Sequence, residues 1–184
     1  MKKLSRRARV ATGGAVLAAV AAGTFGTVSA NASSPASTGA APVASVKGGS
    51  TVTSTHLSID AATKGAQAAL DAAEKENQKV TVAVVDRNGN TLVTLRGDGA
   101  GPQSYESAER KAYTAVSWNA PTSELAKRLA QTPNLKDIPG TLFLAGGAPV
   151  DVKGAPVAAI GVAGAPSGDL DEKFAAAGVA ALGR

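Results

Sequence analysis

Between Tyr105 and Thr114 the chain gathers most of the side chains with which it could do chemistry. Ser107, Lys111 and Thr114 stand at i, i+4 and i+7, so a helix through them aligns two hydroxyls and an ammonium on one face. Arg110 adds a guanidinium able to grip a carboxylate through two parallel hydrogen bonds. Tyr105, Tyr113 and His56 are the other side chains able to donate to a metal, and His56 is the single histidine. Asp71 with Glu74, and Glu106 with Glu109, are carboxylate pairs at i and i+3. Such pairs suit hard ions such as ferric iron, and the same spacing is common on helix faces that simply meet water.

The residues that are missing narrow the chemistry further. The chain has no cysteine and one methionine, Met1, which excludes a Cys/His zinc site, c-type haem attachment, and thiolate or Met/His haem ligation. A Ser-His-Asp relay would have to use His56, at the edge of a segment too polar to hold triad geometry. Gly97-Asp98-Gly99-Ala100-Gly101 follows a strand pattern and precedes a helix pattern. Pro102 takes the last glycine position of the dinucleotide fingerprint and no P-loop lysine follows, so these glycines read as a turn.

The elements that must position these groups are legible from periodicity. Ser58 caps a helix carrying Ile59, Ala62, Ala66, Ala69, Leu70 and Ala73 at helical spacing. Val80 to Val85 and Thr91 to Leu95 form a hairpin around Arg87-Asn88-Gly89-Asn90. Ser104 opens a second helix to about Val116, and Pro121-Thr122 starts a shorter one through Leu129. Thr141 to Ala145, Pro149 to Val152 and Val157 to Val162 read as three more strands. Asp169 caps a last helix to Leu182, with Glu172 as its capping-box partner. The order α-β-β-α-α-β-β-β-α, with strands joined by tight turns, predicts an α/β (α+β) sandwich. Its core is an antiparallel five-stranded sheet flanked by helices.

Residues 1–30 read as a signal peptide: Lys2, Lys3, Arg6, Arg7 and Arg9, an apolar run from Val10 to Val28, and the small exit Val28-Ser29-Ala30. Arg6-Arg7 fits a twin-arginine route, and a basic Sec leader fits as well. Either route implies a secreted or extracytoplasmic protein. Residues 31–56, mostly Ser, Thr, Ala, Gly and Pro, read as a flexible tether, and 57–184 as the folded domain. The chain carries 19 Lys and Arg against 14 Asp and Glu, and five of the basic residues lie in the leader. The remainder is balanced, which removes the electrostatic footprint of a nucleic-acid binder. Nothing after the leader is long and apolar enough to span a bilayer. Ala-rich helices without disulfides imply stability from close packing and a homo-oligomer.

Three segments occur in the order expected of one family: Ser107-Ala108-Glu109-Arg110-Lys111-Ala112-Tyr113-Thr114-Ala115, then Gly146-Gly147-Ala148-Pro149-Val150, then Ala159 to Ala165 followed by Asp169-Leu170-Asp171-Glu172. Over residues 58–184 the chain resembles the GlcG/HbpS-type haem-binding family, and within it the secreted redox-sensor accessory proteins of actinobacteria. The resemblance implies a profilin-like fold, haem as cofactor, and a role in haem or redox sensing or haem buffering beside a membrane sensor kinase. It also implies Thr114 as an oxygen ligand to the iron, and iron ions on the Asp71/Glu74 and Glu106/Glu109 pairs. Lys111 and Arg110 would then meet the propionates. The alternative for Thr114 is that it packs or bonds its own helix carbonyl. His56 reads either as a solvated residue or as an axial ligand swung in from the tether. Tyr105 reads as an aromatic in a loop at the pocket rim, and Tyr113 as a core residue. At most a weak peroxidase- or catalase-like turnover is expected. The alternatives are a module for a corrinoid or small metabolite, and a signalling or structural protein with no small ligand.

Overall fold

The computed structural model describes residues 44–183, so the expected leader and the first part of the tether lie outside the described residues. Residues 44–58 form no helix or strand and are mostly exposed. Then follow α1 (Ile59–Lys75), β1 (Thr81–Asp86), β2 (Thr91–Arg96), α2 (Gln103–Trp118), α3 (Thr122–Arg128), a 3-10 turn (Pro133–Asp137), β3 (Gly147–Val152), β4 (Ala155–Ala163) and α4 (Gly168–Leu182). The strands form one antiparallel sheet in the order β2-β1-β4-β3.

The two sheet faces are built differently. Strand residues alternate between faces, so Val82, Val84, Ile160 and Val162 point one way and pack with α1 and α4. Ala83, Val85, Ala159, Gly161 and Ala163 point the other way, under α2. Small residues there let the α2 backbone come down onto the sheet. A Cβ added at Gly161 would collide with the Ala108 carbonyl and lie 2.6 Å from the Ala112 nitrogen. β1 is buried along its whole length because it is central and covered on both sides.

Turn chemistry closes the hairpins. The Asp86 carboxylate accepts hydrogen bonds from the Asn88 and Asn90 backbone amides, both at 2.8 Å, and from Asn90 Nδ2 at 3.1 Å. Lys153 and Gly154 both take positive φ, 55° and 80°, as a two-residue turn joining twisted strands requires.

The α+β class, the antiparallel sheet and the flanking helices are as expected, and the strand count is not: there are four strands, not five. Thr141 to Ala145 pairs with no strand. Side chains take up part of its backbone instead: Arg110 Nη2 donates to the Thr141 carbonyl at 2.6 Å, and the Leu142 amide donates to Thr114 Oγ1 at 2.8 Å. Three cap expectations also change. The second helix starts at Gln103, and Ser104 lies buried inside its first turn, bonded to Thr81 Oγ1 at 2.7 Å. Ser167, not Asp169, caps α4, accepting from the Leu170 amide. Glu172 is no capping-box partner: it reaches away to the start of α3, accepting from the Ser123 amide at 2.9 Å and the Gly146 amide at 3.1 Å. Ser58 caps α1 as expected.

Candidate functional site

Most of the candidate residues sit on α2, and the helix presents two chemically different sides. The side facing the sheet carries Ala108, Lys111, Ala112, Thr114 and Ala115, all buried. The outer side carries Tyr105, Glu106, Glu109, Arg110 and Tyr113, all at least partly exposed.

On the buried side both polar groups are already committed. Lys111 Nζ forms an ion pair with Asp171 Oδ2 at 2.7 Å, with both side chains almost fully buried, and donates to the Val162 carbonyl at 3.1 Å. Asp171 Oδ1 accepts from the Ala165 amide at 2.9 Å. Burial pushes the Asp171 carboxyl above its ordinary range, and the Lys111 ammonium and the Ala165 and Gly164 amides pull it back only in part. Thr114 has no exposed surface. Its hydroxyl donates to the Arg110 carbonyl at 2.7 Å and accepts the Leu142 amide. The alternative expectation for Thr114, a hydroxyl bonded to its own helix, describes this geometry.

The outer side lines a cleft of about 180 Å³ formed by Val85, Gly89, Thr91, Glu109, Arg110, Tyr113 and Gly140. Two glycines with positive φ, Gly89 and Gly140, form its lips against the Tyr113 ring. A Cβ at Gly89 would lie 2.8 Å from Tyr113 Cε2 and fill the opening. Arg110 also pairs with Glu106 at 3.5 Å, with 39 % of its side chain exposed. Glu109 accepts from Thr94 Oγ1 at 3.2 Å.

The remaining candidates are scattered. Tyr105 lies in the first turn of α2, not in a loop, and is 49 % exposed. His56 is exposed and hydrogen-bonded to Ser54 Oγ at 2.7 Å. Its charge also reaches Asp86, whose carboxyl would be raised by burial alone but is held below its ordinary value by the Asn90 and Asn88 hydrogen bonds and by His56. Asp71 is exposed and accepts from Gln67 at 2.6 Å, while Glu74 faces a polar hollow with Asn77, Lys79 and Asp98. Glu106 and Glu109 turn to different partners. Among the described residues no three His, Cys, Asp or Glu side chains converge as a metal site.

Sequence reasoning missed Asp171, Gly89 and Gly140. A lysine on an apolar helix face signals that a buried counter-charge must exist, because lysine is rarely buried unpaired. Gly89 reads in the sequence only as a turn former, and Gly140 gives no signal of its own.

The family model described as "Haem degrading protein HbpS-like" matches residues 57–180. The chain belongs to the HbpS-like family. Among solved structures, a double mutant of Streptomyces reticuli HbpS is 76 % identical, covering 79 % of this chain and 99 % of its own, with a TM-score of 0.77. A PduOC–haem complex is 26 % identical over 69 % of this chain and 95 % of its own, with a TM-score of 0.63. A 15.0 kDa protein from the dhaT-dhaS intergenic region of Citrobacter freundii is 34 % identical over 113 residues, 59 % of this chain and 80 % of its own. The HbpS-like membership matches the resemblance carried by the α2 and C-terminal segments. No helix among the described residues is long and apolar enough to cross a membrane.

Proposed function

We propose that this chain is a secreted, oligomeric haem-binding protein acting in haem or redox sensing or haem buffering, as accessory to a membrane sensor kinase. The observation that carries the haem part is membership of the HbpS-like family at 76 % identity to Streptomyces reticuli HbpS. A more distant relative of the same fold has been solved as a haem complex, which supports the same ligand.

The Arg110–Tyr113 cleft fits one edge of a porphyrin. Its two glycine lips leave a flat aromatic wall open, and Arg110 stands beside it with guanidinium N–H groups suited to a propionate. Bound haem would supply redox and peroxide chemistry; the chain's own part is to hold the macrocycle and limit access to it. The cleft is smaller than the roughly 300–1,000 Å³ of pockets that enclose a ligand whole. The rest of the porphyrin then needs cover from a second copy, which supports the homo-oligomer. Lys111 serves this site only indirectly, because Asp171 and the Val162 carbonyl occupy it. Iron ions on the surface pairs remain part of the proposal for Asp71 and Glu74. That HbpS mutant carries aspartates in place of two glutamates three positions apart, which is the spacing of Asp71 and Glu74.

Hemin titration of the chain from residue 31 tests the reading. A saturable Soret shift with pigment retained through gel filtration is expected. A spectrum identical to free hemin, or displacement of hemin by an equimolar corrinoid, would reject haem as the ligand.

A further inference from the structure

The β1–β2 turn that forms one lip of the cleft carries a chemistry of its own. The chain has six asparagines, and one of them, Asn88, is followed by glycine. Asparagine is among the thermally labile side chains. Its side-chain carbonyl carbon can be attacked by the backbone nitrogen of the next residue, an intramolecular ring closure favoured by proximity. Glycine in that next position has no Cβ to crowd the attack and leaves the backbone free to turn.

The electrophile is accessible. Asn88 is exposed, and its side-chain amide makes no hydrogen bond among the described residues, so water reaches it. The nucleophile is restrained. The Gly89 N–H donates to the Asp86 carbonyl at 3.0 Å. Around it the Asp86 carboxylate accepts from the Asn88 and Asn90 amides, both at 2.8 Å, and from Asn90 Nδ2 at 3.1 Å. Gly89 itself is set at φ 86° and packs so close to Tyr113 that a Cβ would lie 2.8 Å from the ring. The turn must therefore open before the Gly89 nitrogen can lose its proton and swing onto Asn88. Opening costs the hydrogen bonds that are broken.

We infer that Asn88 is a deamidation site and that Asp86 is the clasp that sets its rate. The Gly89 nitrogen gives its proton to solvent and bonds to Asn88 Cγ. The Cγ–Nδ2 bond breaks, and the nitrogen leaves as ammonia with a proton taken from water. Water then opens the cyclic imide to an aspartyl or isoaspartyl residue at position 88, and no electron moves. Either product places a new carboxylate beside Asp86, where like charges repel. The isoaspartyl form also lengthens the main chain by one methylene inside the clasp. Conversion therefore loosens the turn and puts a negative charge next to the Gly89 lip of the cleft.

The test uses the full chain as wild type, Asp86→Ala, Asp86→Asn and Asn88→Ser. Each is incubated folded at mildly alkaline pH, digested, and mapped by mass spectrometry, beside wild type kept in guanidinium chloride. Position 88 should be the first asparagine to convert, folded or unfolded. Folded wild type should convert on the order of tenfold more slowly than the unfolded chain, and folded Asp86→Ala should recover most of that factor. Asp86→Asn keeps one acceptor oxygen, so its rate should fall between the two and serves as the reading where circular dichroism shows Asp86→Ala unfolded. The acidic band that grows on isoelectric focusing should be missing from Asn88→Ser. Earlier conversion at another asparagine, or no conversion in folded wild type, would overturn the site. Equal rates in the folded and unfolded chain, or folded Asp86 variants as slow as wild type, would overturn the clasp.

Discussion

The two sides of α2 share one helix and one short stretch of sequence, yet they have opposite chemical fates. On the inner side, Lys111 and Thr114 are hydrogen-bonded to Asp171, Val162, Arg110 and Leu142 and have almost no exposed surface. On the outer side, Tyr113 and part of Arg110 stay available in a cleft kept open by two glycines. A polar residue buried in a helix face is usually there because it is satisfied. One left half-buried beside a glycine-lipped opening is free to meet something else. Residue type alone does not reveal this split: Lys111 and Thr114 fasten neighbouring elements, and Arg110 and Tyr113 are the more accessible groups.

Adding one methyl beneath the inner side should break it most severely. Gly161→Ala drives a Cβ into the α2 backbone at Ala108 and Ala112, and backbone cannot step aside as a flexible side chain does. A loss of about 3 kcal/mol or more is expected, at the top of the range for overpacking, read by denaturant unfolding. An unchanged unfolding midpoint would mean that α2 does not sit this close to the sheet.

Comparable in size is the effect of breaking the buried ion pair. Lys111→Met strands the Asp171 carboxylate in a dry site and should cost about 3–5 kcal/mol. The double variant Lys111→Met/Asp171→Leu should recover most of that loss, since an apolar pair of similar volume often replaces such a bridge. Additive losses in the double-mutant cycle would show that the two side chains do not interact.

The hairpin beside the cleft should give a smaller, pH-dependent effect. Asp86 titrates below its ordinary value in the fold, so its ionised form stabilises the native state. That contribution is complete above the unfolded value near 4 and fades as pH falls through the lower folded value. Asp86→Asn should therefore cost about 1 kcal/mol at neutral pH, with the gap to wild type closing in acid. A gap that widens on acidification would contradict the assigned hydrogen bonds.

Much of this arrangement was legible in the sequence. The hairpin at Arg87–Asn90, the cap at Ser58 and the i, i+4, i+7 alignment of Ser107, Lys111 and Thr114 follow from local chemistry, and local chemistry is what periodicity records. The missing fifth strand was not legible. Thr141 to Ala145 has strand-like residues, but partners offered by Arg110 and Thr114, 31 and 28 positions away in the chain, decide its backbone. Glu172 misled for the same reason: it sits near a helix start, yet its oxygens go to Ser123, nearly 50 residues away. Which way α2 turns its faces depends on Gly161, a bare spot on a strand that the periodicity of α2 cannot reveal.

Reversing the charge at Arg110 asks whether the outer side of α2 holds the haem. Wild type and Arg110→Glu, both shown folded by circular dichroism, would be loaded with hemin and passed through gel filtration. The variant should release its pigment while wild type keeps it. Equal retention by both would mean that the outer side of α2 does not hold the haem.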